Sequence, residues 1–159
     1  MSLYFLLKFI HIIGACVLIG TGAGIAFFMA VAHRTKDPST VAGVARIVVI
    51  ADFVFTATAI VLQPITGVLL ASQAGYSLLQ GWIVASIALY VAIGLLWLPV
   101  VWIQLRMRNL ATTAACAGMP LPEEYQTLFR RWLALGVPAF AFILIIVWLM
   151  IRRPELGFV

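Results

Sequence analysis

Lys8 and His11 stand three residues apart at the head of a stretch that carries no further charge as far as Ala32. Ionisable side chains inside a membrane helix are costly and, where they occur, face a bundle interior or a site. Residues three apart are helix neighbours, so the Lys8 ammonium lies just outward of the imidazole and could hold an anion beside it. That chemistry suits haem b, with neutral His11 as an axial ligand of the iron and Lys8 beside a propionate. The simpler reading has Lys8 snorkelling to the interface and His11 hydrogen-bonded to Gln63 across two helices.

Depth selects the companions. Counting about 1.5 Å per residue, His11 and Gln63 fall level, about 12 to 14 Å in from one end of their helices, and Trp82, Trp148 and Met150 belong to the same half. Lys8, Gln63, Trp82 and Trp148 are therefore the candidates to contact a macrocycle, and His11 and Met150 the candidates to bind its metal. His33 lies 22 residues after His11, roughly 33 Å along one helix, which excludes a bis-histidine site within one chain. The sixth position falls to Met150, to water or to a residue of another subunit.

A second polar set runs through Asp52, Thr56, Gln63 and Gly67, whose spacings repeat on one helix face and point it into the bundle. Asp52 counts to the level at which Arg106 and Arg131 enter their helices, and an ion pair there would make its burial tolerable. The alternative for Asp52 is a proton relay or a quinone contact.

The elements that must position these residues are membrane helices. Of the 159 residues, 65% are hydrophobic and 9% charged, far from the composition of a soluble domain. Three charge-free runs, Phe9 to Ala32, Phe53 to Leu105 and Trp132 to Ile151, supply four spans of roughly 20 residues or more, the middle run being long enough for two. The expected fold is all-α: an antiparallel four-helix bundle, one domain over residues 1–159, with helices at about 3–32, 41–71, 81–107 and 125–151. Asp37-Pro38-Ser39 and Pro122-Glu123-Glu124 are start signals for the second and fourth helices, and Pro64, Pro99 and Pro138 are expected to kink helices and free carbonyls. Arg34, Lys36, Arg46, Arg106, Arg108, Arg130 and Arg131 outweigh Lys8, Arg152 and Arg153, which places both termini outside.

Several classes are excluded. The apolar stretch before Ala30-Val31-Ala32 is too long for a signal peptide, so a retained first span is expected. The net charge of +5 fits anionic lipid better than nucleic acid, for which no basic and aromatic pattern exists. Cys16 and Cys116 form no Cys-x-x-Cys motif and no expected disulfide. Gly20-Thr21-Gly22-Ala23-Gly24 lies within a span with no strand before it, and serves close helix packing instead of nucleotide binding.

The segments Lys8-Phe9-Ile10-His11-Ile12-Ile13-Gly14, Asp52-Phe53-Val54-Phe55-Thr56, Gln63-Pro64-Ile65-Thr66-Gly67 and Leu96-Trp97-Leu98-Pro99-Val100-Val101-Trp102-Ile103-Gln104 resemble a family of bacterial four-helix membrane proteins, domain of unknown function 2269. More distantly, the Lys8-x-x-His11-Ile12-Ile13 opening and the Pro64-x-x-Gly67 segment are similar to the haem-containing membrane protoporphyrinogen oxidases of bacteria and to copper-resistance protein D. The former resemblance implies haem b ligated from the first helix, with His11 as ligand and Lys8 as its partner. The oxidases carry a lysine and a further histidine in their third helix, where Trp82 to Trp102 offers neither, so the resemblance stops short of their reaction.

Two functions are compatible with these residues. One is a haem b protein of the bacterial inner membrane, active in electron transfer with quinone or in tetrapyrrole chemistry. The other is a haem-free accessory subunit of a membrane complex or a small-solute permeation protein, with Lys8, His11, Gln63 and Asp52 forming interhelical hydrogen bonds or a polar path. The lipid bilayer is a partner in both, and a homo-oligomer would supply the missing ligand in the first.

Overall fold

Asp37 shows how the sequence writes its helix boundaries. Its carboxylate accepts from the Thr40 amide (2.8 Å), the Thr40 hydroxyl (2.6 Å) and the Ser39 amide (3.4 Å). With Pro38 in the first turn, this satisfies amides that a helix start leaves unpaired. These bonds hold the Asp37 carboxyl below the usual carboxylate range, the Thr40 hydroxyl being the largest cause.

The computed structural model describes residues 2–156. Met1 and residues 157–159 of the expected domain lie outside the described residues. Four helices are long and apolar enough to cross a membrane: α1 (Leu3–Thr35), α2 (Pro38–Gln73), α3 (Gly81–Ala117) and α4 (Glu123–Arg152). Among the described residues there is no strand.

The helices run past the expected ends wherever charge suggested a stop. α3 continues from the expected Met107 to Ala117, because Arg106 and Arg108 end the apolar surface but not the helical propensity of the Ala-rich turns beyond. It stops at Gly118, whose positive φ of 62° lets the Gly118 and Met119 amides return to the Ala115 and Ala114 carbonyls.

Packing is uneven along the bundle. Met29, Val41, Met107 and Tyr125 are fully buried and anchor one apolar core with Val48, Ile103, Phe129 and Trp132. All of these lie toward the end that carries Arg34, Arg46, Arg108 and Arg130, called here the basic end. At the opposite, terminal end, α1 packs along α2 and α3 along α4, while the last turns of α2 hardly approach α3 or α4. The Tyr90 hydroxyl of α3 bridges that gap by donating to the Ile60 carbonyl of α2. Pro64 explains the vacancy that it fills: a proline has no amide to offer the carbonyl four residues back.

Candidate functional site

The site begins with a break in the regularity of α2. Residues Asp52–Thr56 form a π-helical turn, with the Ala57 amide donating to the Asp52 carbonyl five residues back. One extra residue in a turn rotates the remainder of the helix by about 100°, the angular step of an α-helix. The expected single polar stripe is thereby split. Gln63, Thr66 and Gly67 turn to α1, whereas Asp52 turns to Trp97 and Gln104 of α3.

At the α1–α2 face, His11 Nδ1 lies 2.8 Å from Thr66 Oγ1. Thr66 Oγ1 is also 2.8 Å from the Leu62 carbonyl, which can only accept. Both contacts are satisfied when the hydroxyl donates to Leu62 and Nδ1–H donates to Thr66, so the second ring nitrogen, Nε2, keeps its lone pair. Among the described residues Nε2 has no partner and is not one of the buried unpaired atoms, so it reaches the surface of the half-buried residue.

Two glycines make the approach possible. A Cβ on Gly67 would stand 3.3 Å from His11 Cε1, and one on Gly14 would stand 2.5 Å from Gln63 Nε2. Gln63, buried at 8% exposure, donates from Nε2 to the His11 carbonyl at 2.9 Å. The expected His11–Gln63 link is thus real but runs through the backbone, and the ring is held by Thr66. Partners descend along α2 as they ascend along α1: His11 meets Thr66 and Gly67, and Gly14 meets Gln63.

These segments lie within a match to a known family. The model for "Predicted integral membrane protein (DUF2269)" matches residues 5–154. The chain belongs to the DUF2269 family. It matches no curated protein and no solved structure.

The other candidates of this DUF2269 chain are dispersed. Lys8 is exposed, with Nζ 5.8 Å from the centre of the Tyr4 ring. Trp82 sits edge-on to Tyr76 with centroids 5.6 Å apart and donates from Nε1 to Gln80 Oε1 at 3.1 Å. Trp148 is 54% exposed on α4, and Met150 is half-buried near the end of the same helix, where its carbonyl accepts from Arg153. The structure therefore brings His11 and Gln63 together, and among the described residues no hydrogen bond or ring stacking joins Trp82, Trp148 or Met150 to them.

Asp52 contradicts the expected ion pair. Arg106 is engaged by Glu124 (2.8 and 3.2 Å), and Arg131 is exposed. The 4%-exposed Asp52 carboxyl instead receives Trp97 Nε1 at 3.4 Å. With the Gln104 amide oriented to satisfy both neighbours, its nitrogen donates to Asp52 Oδ2 (3.1 Å) and its oxygen accepts from Trp132 Nε1 (3.2 Å). A chain of neutral donors thus replaces a cation, a cheaper way to bury the group than desolvating an arginine as well. The Thr56 hydroxyl, one turn on from Asp52, is buried on the side of the same carboxyl.

Thr66, Trp97, Gln104 and Tyr90 were missed by the sequence reading. Thr66 follows Gln63 by three, and Trp97 and Gln104 stand seven apart on one face, spacings that carry the signal for these three, whereas no spacing marks Tyr90.

Proposed function

We propose that this protein binds haem b in the bacterial inner membrane, with both termini on the outer side, and works in electron transfer with quinone or in tetrapyrrole-linked redox chemistry. The observation that carries the reading is the polarity of the His11 ring. A metal-ligating histidine donates its other ring N–H to an acceptor that fixes tautomer and orientation. Thr66 supplies that acceptor, and the lone-pair nitrogen Nε2 is left at the surface of the bundle.

Among the described residues no three His, Cys, Asp or Glu side chains gather to hold a metal ion. A metal at His11 must therefore bring its remaining ligands with it, as iron does in a macrocycle that needs one protein nitrogen. Haem bound there would supply one-electron chemistry. His11 would hold it, Gln63 would fix the backbone of the ligand, and exposed Lys8, one turn toward the terminus, would meet a propionate. Trp82, Trp148 and Met150 belong to the same half of the bundle and remain candidates for its outer contacts, with water or a partner subunit as the other source of a sixth ligand. The arginine-rich end supports the orientation.

The test is an absorption spectrum of the protein purified in mild detergent from haem-replete cells, oxidised and dithionite-reduced, beside His11→Ala. A Soret band present in the wild type and absent from the variant is the expected result. A wild type without a Soret band, or a variant that keeps it, would overturn the reading.

The same hydrogen bonds favour a second function. Gln63 and Thr66 both spend their polar groups on α1 or on their own helix, as in an interhelical clasp. A protein in which that clasp is the whole role would be a haem-free accessory subunit of a membrane complex or a small-solute permeation protein.

A further inference from the structure

Arg46 of α2 and Arg108 of α3 line one open pocket of about 590 Å³ with Gly43, Asn109, Thr112 and Thr113. Among the described residues neither arginine has a carboxylate within 4.0 Å, the one ion pair of the chain being Arg106 with Glu124. Arg108 spends Nε and one terminal nitrogen on Asn109 Oδ1 (3.2 and 2.9 Å), which leaves further N–H groups of its fork free. The Thr112 hydroxyl donates to the Arg108 carbonyl at 2.8 Å, and the two guanidinium groups, the Asn109 amide and the Thr113 hydroxyl that remain around the cavity, with no acid among them, form a site for an oxyanion.

Depth says which kind. Arg46 lies eight residues from Pro38 and Arg108 nine from Ala117, about 12 and 14 Å from the basic ends of helices that are roughly 54 Å long. A bilayer offers about 30 Å of hydrocarbon and about 40 to 45 Å with its headgroups, so a centred helix carries both residues at the boundary between hydrocarbon and headgroups, within reach of the phosphates for a long arginine side chain. One turn further into the membrane, Ile50 is 54% exposed on the face of Arg46, and Trp102 is 62% exposed two turns below Asn109. A polar pocket thus opens directly onto apolar surface on both helices.

We propose that this pocket binds the phosphate of an anionic lipid headgroup, with Arg46 and Arg108 on the phosphate and the acyl chains running down past Ile50 and Trp102. Basic pockets between helices at the membrane boundary bind such headgroups. The site is far from His11 and is independent of any haem there.

The test uses the full chain, delipidated in an uncharged detergent, with the thermal midpoint followed while phosphatidylglycerol, phosphatidylcholine or inorganic phosphate is titrated. Phosphatidylglycerol should raise the midpoint where the other two do not. Arg46→Gln and Arg108→Gln should each weaken its apparent affinity roughly tenfold, the scale of one charge-assisted contact. Gly43→Leu, at a position where an added Cβ meets nothing within 4 Å, should fill the pocket without touching its charge and also abolish the response. Arg153→Gln, at the terminal end, should leave it unchanged. A response to inorganic phosphate equal to that of the lipid would overturn the lipid assignment, and a lipid response that survives all three pocket variants would overturn the site.

Discussion

The Tyr90 hydroxyl donates to the Ile60 carbonyl, an acceptor that Pro64 leaves without an amide one turn on. Tyr90→Phe should cost about 1–2 kcal/mol, the scale of an acceptor left unpaired away from water. In a Pro64→Ala background, where residue 64 can serve Ile60 itself, the same substitution should cost much less. Unfolding by denaturing detergent measures both. Equal costs in the two backgrounds would mean that the hydroxyl is not replacing the missing amide.

The His11 contact predicts graded losses. If haem is bound, Thr66→Val should lower its retention roughly tenfold, as removal of a hydrogen-bond partner behind a metal ligand does, while a Soret band persists. Lys8→Gln should weaken retention less, and His11→Ala should abolish it. Haem release to an apoprotein acceptor orders the three, and a Thr66→Val protein with wild-type retention would remove the argument from tautomer.

Two glycines in the same membrane should answer differently to one methyl. At Gly14 a Cβ would press on Gln63 Nε2, displacing the amide from the His11 carbonyl, and Gly14→Ala should cost about 1–3 kcal/mol. At Gly43 it meets nothing within 4 Å, so Gly43→Ala should be neutral or stabilising by about 0.5–1 kcal/mol through helix propensity. Thermal unfolding of both variants checks the contrast, and a tolerant Gly14 would place Gln63 elsewhere.

Asp37 carries a pH signature. Its carboxyl is held below the ordinary value of 3.8 in the folded chain by the Thr40 hydroxyl and amide and the Ser39 amide. A lowered folded value means stabilisation that is present above 3.8 and lost as the pH falls through the folded value. The deficit of Asp37→Ala should therefore be full at neutral pH and should shrink on acidification below 3.8. A deficit that stays constant from neutral pH down through the folded value would count against the carboxylate as the cap.

Hydropathy made the four helices legible, and Asp37 and Gly118 show that their caps are written locally. The illegible part has two physical causes. No glycine or proline marks the π turn at Asp52–Thr56, so a uniform angular step assigned Asp52 to the face of Gln63. The ion pair expected for Asp52 assumed that depth alone chooses partners, whereas Glu124 already holds Arg106 and the neutral donors of Trp97 and Gln104 point inward. His11 and Gln63 were legible as a pair because both are rare polar groups at one level. Thr66 escaped because a threonine in a membrane helix can satisfy itself on its own backbone, as it also does here.

The one-sided core gives the molecule a tightly packed end and a sparsely packed one. Met29, Val41, Met107 and Tyr125 form the joint at the basic end, and the arms are the α1–α2 and α3–α4 pairs. Spreading the joint exposes a packed interior, whereas the tips are tied by the Tyr90 bond, by the 74–80 connector and by the hydrogen bond from Arg153 to the Tyr76 hydroxyl. Thickness and lateral pressure in the leaflet around the tips therefore act on the end where few contacts join α2 to α3 and α4, which is the end that carries His11.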